Sequence, residues 1–152
     1  MIKQAAGKLT ILSIGPPDES QARLERILVT TSGLRTVLSP TLHAALPLLQ
    51  KGGVPVVLCD RDDNQVVWKQ LLEQVGTLKE PPYVIVTSRL ADDRLWSEAL
   101  NLGAYDVLAK PFEASEVTRV LASARLRWEE RYRTSTAVRC GGAATACLLA
   151  TA

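Results

Sequence analysis

Long apolar runs, Cys-x-x-Cys pairs and a basic stripe are all missing from this 152-residue chain, and histidine occurs once. No stretch approaches the roughly 20 apolar residues a bilayer-spanning helix needs, so no membrane partner is expected. Met1-Ile2-Lys3-Gln4 has no apolar secretory core behind its charge, and the chain reads as cytoplasmic. Cys59, Cys140 and Cys147 are odd in number, and no two have Cys-x-x-Cys spacing. That excludes a disulfide scaffold and fits free thiols in a reducing compartment. With a single histidine, His43, they are too few and too scattered for a zinc site. No dense Lys/Arg cluster is present: the first 132 residues carry no net charge, and only Arg133 and Arg139 lie beyond them. Direct nucleic-acid binding is therefore not expected.

What remains is ordinary globular composition, 47% hydrophobic and 22% charged. The length suits one domain with a modest appendage. Short apolar runs alternate with helical periodicity throughout. Leu9 to Ile14 is a strand stopped by Gly15-Pro16-Pro17. Asp18 then caps a helix carrying Leu24, Ile27 and Leu28, with Gln21 at the capping-box position and Ser32-Gly33 as its end. Arg35 to Leu38 is a second strand. The helix after Ser39-Pro40-Thr41 contains Pro47, expected to kink or shorten it, and is broken by Gly52-Gly53. Val54 to Cys59 is continuously apolar, as a central parallel strand covered on both faces must be, and runs straight into Asp60.

A helix from Asn64 to Val75 follows, then a strand Tyr83 to Val86 ending at Thr87-Ser88. A helix from Asp92-Asp93 to Gly103 is expected to bury Leu95, Trp96, Ala99 and Leu102. Tyr105 to Ala109 is the fifth strand, and Lys110-Pro111-Phe112 leads to a last helix over about 114–132 with Val117, Val120, Leu121, Ala124 and Trp128 inward. Five strand–helix pairs predict a flavodoxin-like (βα)5 three-layer α/β sandwich with a parallel five-stranded sheet, its assumed order 2-1-3-4-5. Residues 1–132 form that domain. Residues 133–152, rich in small residues and without an acid, read as a disordered tail or truncated linker.

Ligands of such sheets sit beyond the carboxyl ends of the strands. There the sequence places a carboxylate, Asp60, a hydroxyl, Thr87, and an ammonium, Lys110. Each has an ordinary reading alone: a loop acid, a packed Thr, a solvated Lys. Together they are equipment for holding a phosphoryl group, with Asp60 as acceptor and Lys110 offsetting its charge. Lys110-Pro111 also allows a cis peptide.

Three segments carry a resemblance: Val56-Val57-Leu58-Cys59-Asp60, Pro82 to Ser88, and Gly103-Ala104-Tyr105-Asp106-Val107-Leu108-Ala109-Lys110-Pro111-Phe112. They resemble the response-regulator receiver domains of two-component systems over about residues 8–131. The resemblance implies phosphorylation on Asp60, a switch hydroxyl at Thr87 and a phosphate-contacting Lys110. It also implies a histidine kinase or phosphotransfer protein as donor. The signal would pass to an output protein or second copy through helix 4, strand 5 and helix 5, where Trp96, Arg94, Asp106, Glu116 and Arg119 fall. The chain would bind partners and not act as an enzyme on a metabolite.

The sequence departs from the family at the metal. The acidic pair that holds Mg²⁺ after strand 1 is replaced by Gly15 and Pro16, which have no side-chain ligand. Asp60 and, weakly, Asp18 are the metal candidates left, and capping is the commoner job for Asp18. Asp62 and Asp63 are the other acids within reach. The loop after Asp60 lacks the family's Met-Pro and Gly, and Val107 replaces the aromatic switch residue three before the Lys, with Tyr105 expected on the same side of the strand. The expectation divides between a phosphorylated receiver and a phosphorylation-independent pseudo-receiver, and leans to the latter. The alternative, a small nucleotide-binding α/β protein or enzyme, needs a glycine phosphate loop that Gly15-Pro16-Pro17 does not supply. His43, Cys59 and the three Trp residues take structural readings: His43 exposed, Cys59 inert packing, the Trp residues core or half-buried.

Overall fold

A computed structural model describes residues 9–30, 34–62 and 67–142. The strands are β1 (Leu9–Ile14), β2 (Leu34–Ser39), β3 (Val56–Asp60), β4 (Tyr83–Ser88) and β5 (Asp106–Ala109). They alternate with α1 (Glu19–Val29), α2 (Leu42–Lys51), α3 (Val67–Gly76), α4 (Asp93–Asn101) and α5 (Ala114–Gly142). All pairings are parallel, in the order β2-β1-β3-β4-β5.

Period-2 alternation divides the core in two. Leu12, Ile14, Val57, Cys59, Val84, Val86 and Val107 point to the layer of α2, α3 and α4, around a fully buried Trp68. Ile11, Val56, Leu58, Ile85 and Leu108 point to α1 and α5, against Leu24, Leu28, Val117, Leu121 and Ala124. A strand buried on both faces has no polar side, which is why β3 is read so directly from sequence. The five inward residues expected of α5 are all buried.

Several local expectations are corrected. Trp96 and Leu102 are 47% and 48% exposed, not buried. Only Leu95 and Ala99, one turn apart on the short α4, face the sheet. Pro47 lies inside α2, which continues to Lys51. Pro47 and His43, whose carbonyl loses its helix partner, are both exposed to water. The helix stops at Gly52, as expected of Gly52-Gly53, where φ is +78°. α5 runs ten residues past the expected end at Tyr132, to Gly142, and 143–152 lie outside the described residues. So do Ser32-Gly33, Asp63 and Asn64. No helix among the described residues is long and apolar enough to cross a membrane.

Candidate functional site

The register decides what meets at the carboxyl edge. Asp60 pairs with Thr87 across β3 and β4, and Thr87 pairs with Leu108 across β4 and β5. Lys110 is two residues beyond Leu108, so the same alternation brings Asp60, Thr87 and Lys110 to the α1/α5 side. Ser13 pairs with Leu58, which sets the loop after β1 beside Asp60. One narrow cleft is lined by Ser13, Asp18, Gln21, Asp60, Thr87 and Lys110, with Phe112 closing it. The acid, alcohol and amine named from sequence thus line one cleft.

Within the cleft, Lys110 Nζ donates to Asp60 Oδ1 at 2.7 Å, and the two side chains are only 5% and 7% exposed. A buried ion pair of this kind is maintained by geometry, since each charge has given up its water. The Asp62 N–H donates to the same Asp60 oxygen at 3.0 Å. Lys110 also lies 3.3 Å from Asp62 Oδ2. Asp62 is fixed there by Ser88 Oγ–H at 2.7 Å and the Arg89 N–H at 2.9 Å. Burial works against the charged form of Asp62, but Ser88, Arg89 and Lys110 together hold its carboxyl below the ordinary carboxylate range. The Lys110–Pro111 peptide is cis. Cys59, beneath Asp60, is inert packing: burial, with the Asp60 charge behind it, pushes its thiol up to about 12.

Asp18 lines the cleft, but its Oδ1 accepts from the Gln21 N–H at 3.0 Å as the cap of α1. Asp62, not Asp18, is the second acid brought to Lys110. The spacing predicts Gln21 as the reciprocal capping-box residue. Its side chain instead turns inward, 8% exposed, where Gln21 Oε1 accepts from Ser13 Oγ–H at 2.8 Å. The sequence signal available was the placement of Ser13, two residues before Gly15 on an inward-facing strand position. Tyr105 does not share a side with Val107. It precedes β5, packs against Tyr83 with ring centroids 5.0 Å apart and the rings tilted by 59°, and bonds Ser123 on α5, while Val107 packs into the opposite layer. No aromatic residue therefore stands in the switch position of β5.

The residues present do not fit Mg²⁺. The ion needs near-octahedral oxygen ligands and usually keeps several waters. Gly15 and Pro16 offer no side-chain oxygen, Asp18 caps α1 through Oδ1, and Asp60 already faces an ammonium. The cavity is about 10 Å³, room for about one water. Among the described residues no group of three His, Cys, Asp or Glu side chains could hold a metal.

No family model matches the chain. The two-component response regulator ORR6 of Oryza sativa subsp. japonica is 30% identical over 128 residues, covering 80% of this chain and 74% of that protein. The chain belongs to the response-regulator receiver family. Solved receivers share its fold at lower identity. The signal receiver domain of an HD domain-containing protein from Pseudomonas fluorescens superposes with a TM-score of 0.73 at 21% identity, covering 84% of this chain and 93% of that one. The receiver domain of sensor histidine kinase PA1611 from Pseudomonas aeruginosa gives 0.63 at 22% identity, covering 80% and 97%. That neighbour was solved with magnesium coordinated in its active-site cleft. Nothing in either likeness favours the nucleotide-binding alternative.

Proposed function

We propose that this receiver is a pseudo-receiver: a signalling module that works by protein–protein contact, with Asp60 and Lys110 kept as a permanent strut and Mg²⁺-assisted phosphorylation lost. The observation that carries this reading is the filled cleft around an Asp60–Lys110 pair. One ammonium is already shared by two carboxylates, Asp60 and Asp62. An incoming phosphoryl group adds further negative charge. Each like-charge pair at 4 Å costs about 4 kcal/mol at an effective dielectric of 20, and among the described residues Lys110 is the one cation lining the narrow cleft.

Contact would run through the α4–β5–α5 face. There Trp96 is 47% and Leu100 37% exposed, one turn apart on α4, which also carries Arg94, while α5 carries the charged Glu116 and Arg119. An exposed Trp beside aliphatic carbon is the composition of a partner-binding hot spot. The occupant would be an output protein or a second copy of the chain.

A second reading has one specific observation behind it: Asp60, Thr87 and Lys110 do converge, as phosphorylation on Asp60 by a histidine kinase or phosphotransfer protein requires. Incubation with acetyl phosphate and Mg²⁺, read by intact mass, separates the two. The pseudo-receiver gains no phosphoryl group. A gain that disappears in Asp60→Asn overturns the pseudo-receiver reading and makes Asp60 the acceptor.

A further inference from the structure

Gly15 marks the place where the cleft has closed. Its backbone has no positive φ, so conformational freedom does not explain the glycine. Space does. A Cβ at position 15 would stand 3.0 Å from Asp60 Cβ and 3.0 Å from Gln21 Nε2. Such separations are tighter than ordinary carbon packing, and a neighbour must yield. Asp60 is held by Lys110 and by its register in β3. Gln21 is held by Ser13 through its amide oxygen, which leaves the amide nitrogen over Gly15. An NH₂ group donates hydrogen bonds and cannot ligate a cation.

We infer that Gln21 is the positioning residue that plugs this cleft: fixed by Ser13, its amide fills the space beside Gly15 and Asp60 and bars any carboxylate restored at position 15 from forming a cation site with Asp60. This rests on the pseudo-receiver reading and adds a named cause to it. The loss of metal is then a coupled change in three residues. Gly15 removes the ligand, Gln21 occupies the gap, and Ser13 fixes Gln21. Reversing the first alone does not reopen the site.

The test uses the full chain and four forms: wild type, Gly15→Asp, Gln21→Ala, and Gly15→Asp/Gln21→Ala. Each is melted with and without millimolar MgCl₂, with KCl at matched ionic strength as control and circular dichroism confirming the fold. The double variant is expected to gain a Mg²⁺-dependent rise in Tm, absent from the other three. Mg²⁺ stabilisation of Gly15→Asp equal to that of the double variant overturns the plug. So does a folded double variant that ignores Mg²⁺. A second measurement needs no new site. Gly15→Ala should lower Tm in the wild-type background and lower it less in Gln21→Ala, because one of two close contacts is gone. Equal losses in both backgrounds overturn the plug. The underlying reading fails differently: the wild type itself would be stabilised by Mg²⁺ or take a phosphoryl group from acetyl phosphate.

Discussion

Removing Lys110 should be the most damaging conservative change in the cleft, and more damaging than removing its partner. Lys110→Met keeps most of the side-chain volume but strands Asp60 with, among the described residues, one N–H donor, from Asp62. It also leaves the Asp62 carboxylate nearby without its cation. Breaking a buried pair from one side costs about 3–5 kcal/mol. In a domain of this size that is on the order of 10–20 °C in Tm. Asp60→Asn is different in kind. Lys110 then still has Asp62 at 3.3 Å, and the new amide keeps an oxygen for it. The cost should fall to about 1–3 kcal/mol, that of an imperfectly satisfied polar group. The double variant Asp60→Asn/Lys110→Met should be more stable than Lys110→Met alone, since the stranded charge is gone. Acid should also rescue Lys110→Met in part, because protonation removes the same charge. The assay is urea unfolding of the four forms at neutral and acid pH. If Lys110→Met costs no more than Asp60→Asn, the charge accounting of the cleft is wrong.

Three further outcomes are expected. Trp68→Ala, which empties a fully buried site under α3, should cost about 3–5 kcal/mol in urea unfolding, whereas Trp96→Ala should fall within about 1 kcal/mol of wild type. Cys59 should resist thiol reagents in the native protein and label only on unfolding, measured by mass spectrometry in a Cys140→Ser/Cys147→Ser background, because burial holds its thiol near 12. Asp62 is held below its ordinary 3.8 in the folded state, so it contributes stability at neutral pH that is lost as the pH falls through its folded value. Asp62→Asn should therefore flatten the acid limb of stability against pH below about 4, and an unchanged limb would remove Asp62 from the site's electrostatics.

The local elements and the acid–alcohol–amine trio were legible because they depend on short-range chemistry. Apolar runs of period 2, helical periodicity and Gly or Pro punctuation mark the strands and helices directly, and a residue's place at a strand's end follows from the strand. Val56 to Cys59 could be read as a strand because burial on both faces leaves them no polar position, although β3 starts two residues after the expected Val54 and takes in Asp60. Only the tertiary structure decided which neighbours those strand-end groups would have. Gln21 is a surface-type residue at a helix start, and nothing local distinguishes capping from turning inward. The choice depends on Ser13 standing in register beside Asp60, in a different element. Asp62 over Asp18, and Tyr105 against α5 instead of beside Val107, were settled the same way. In each case a side chain with several local partners took the one that long-range packing brought within reach, and a single sequence does not record that distance.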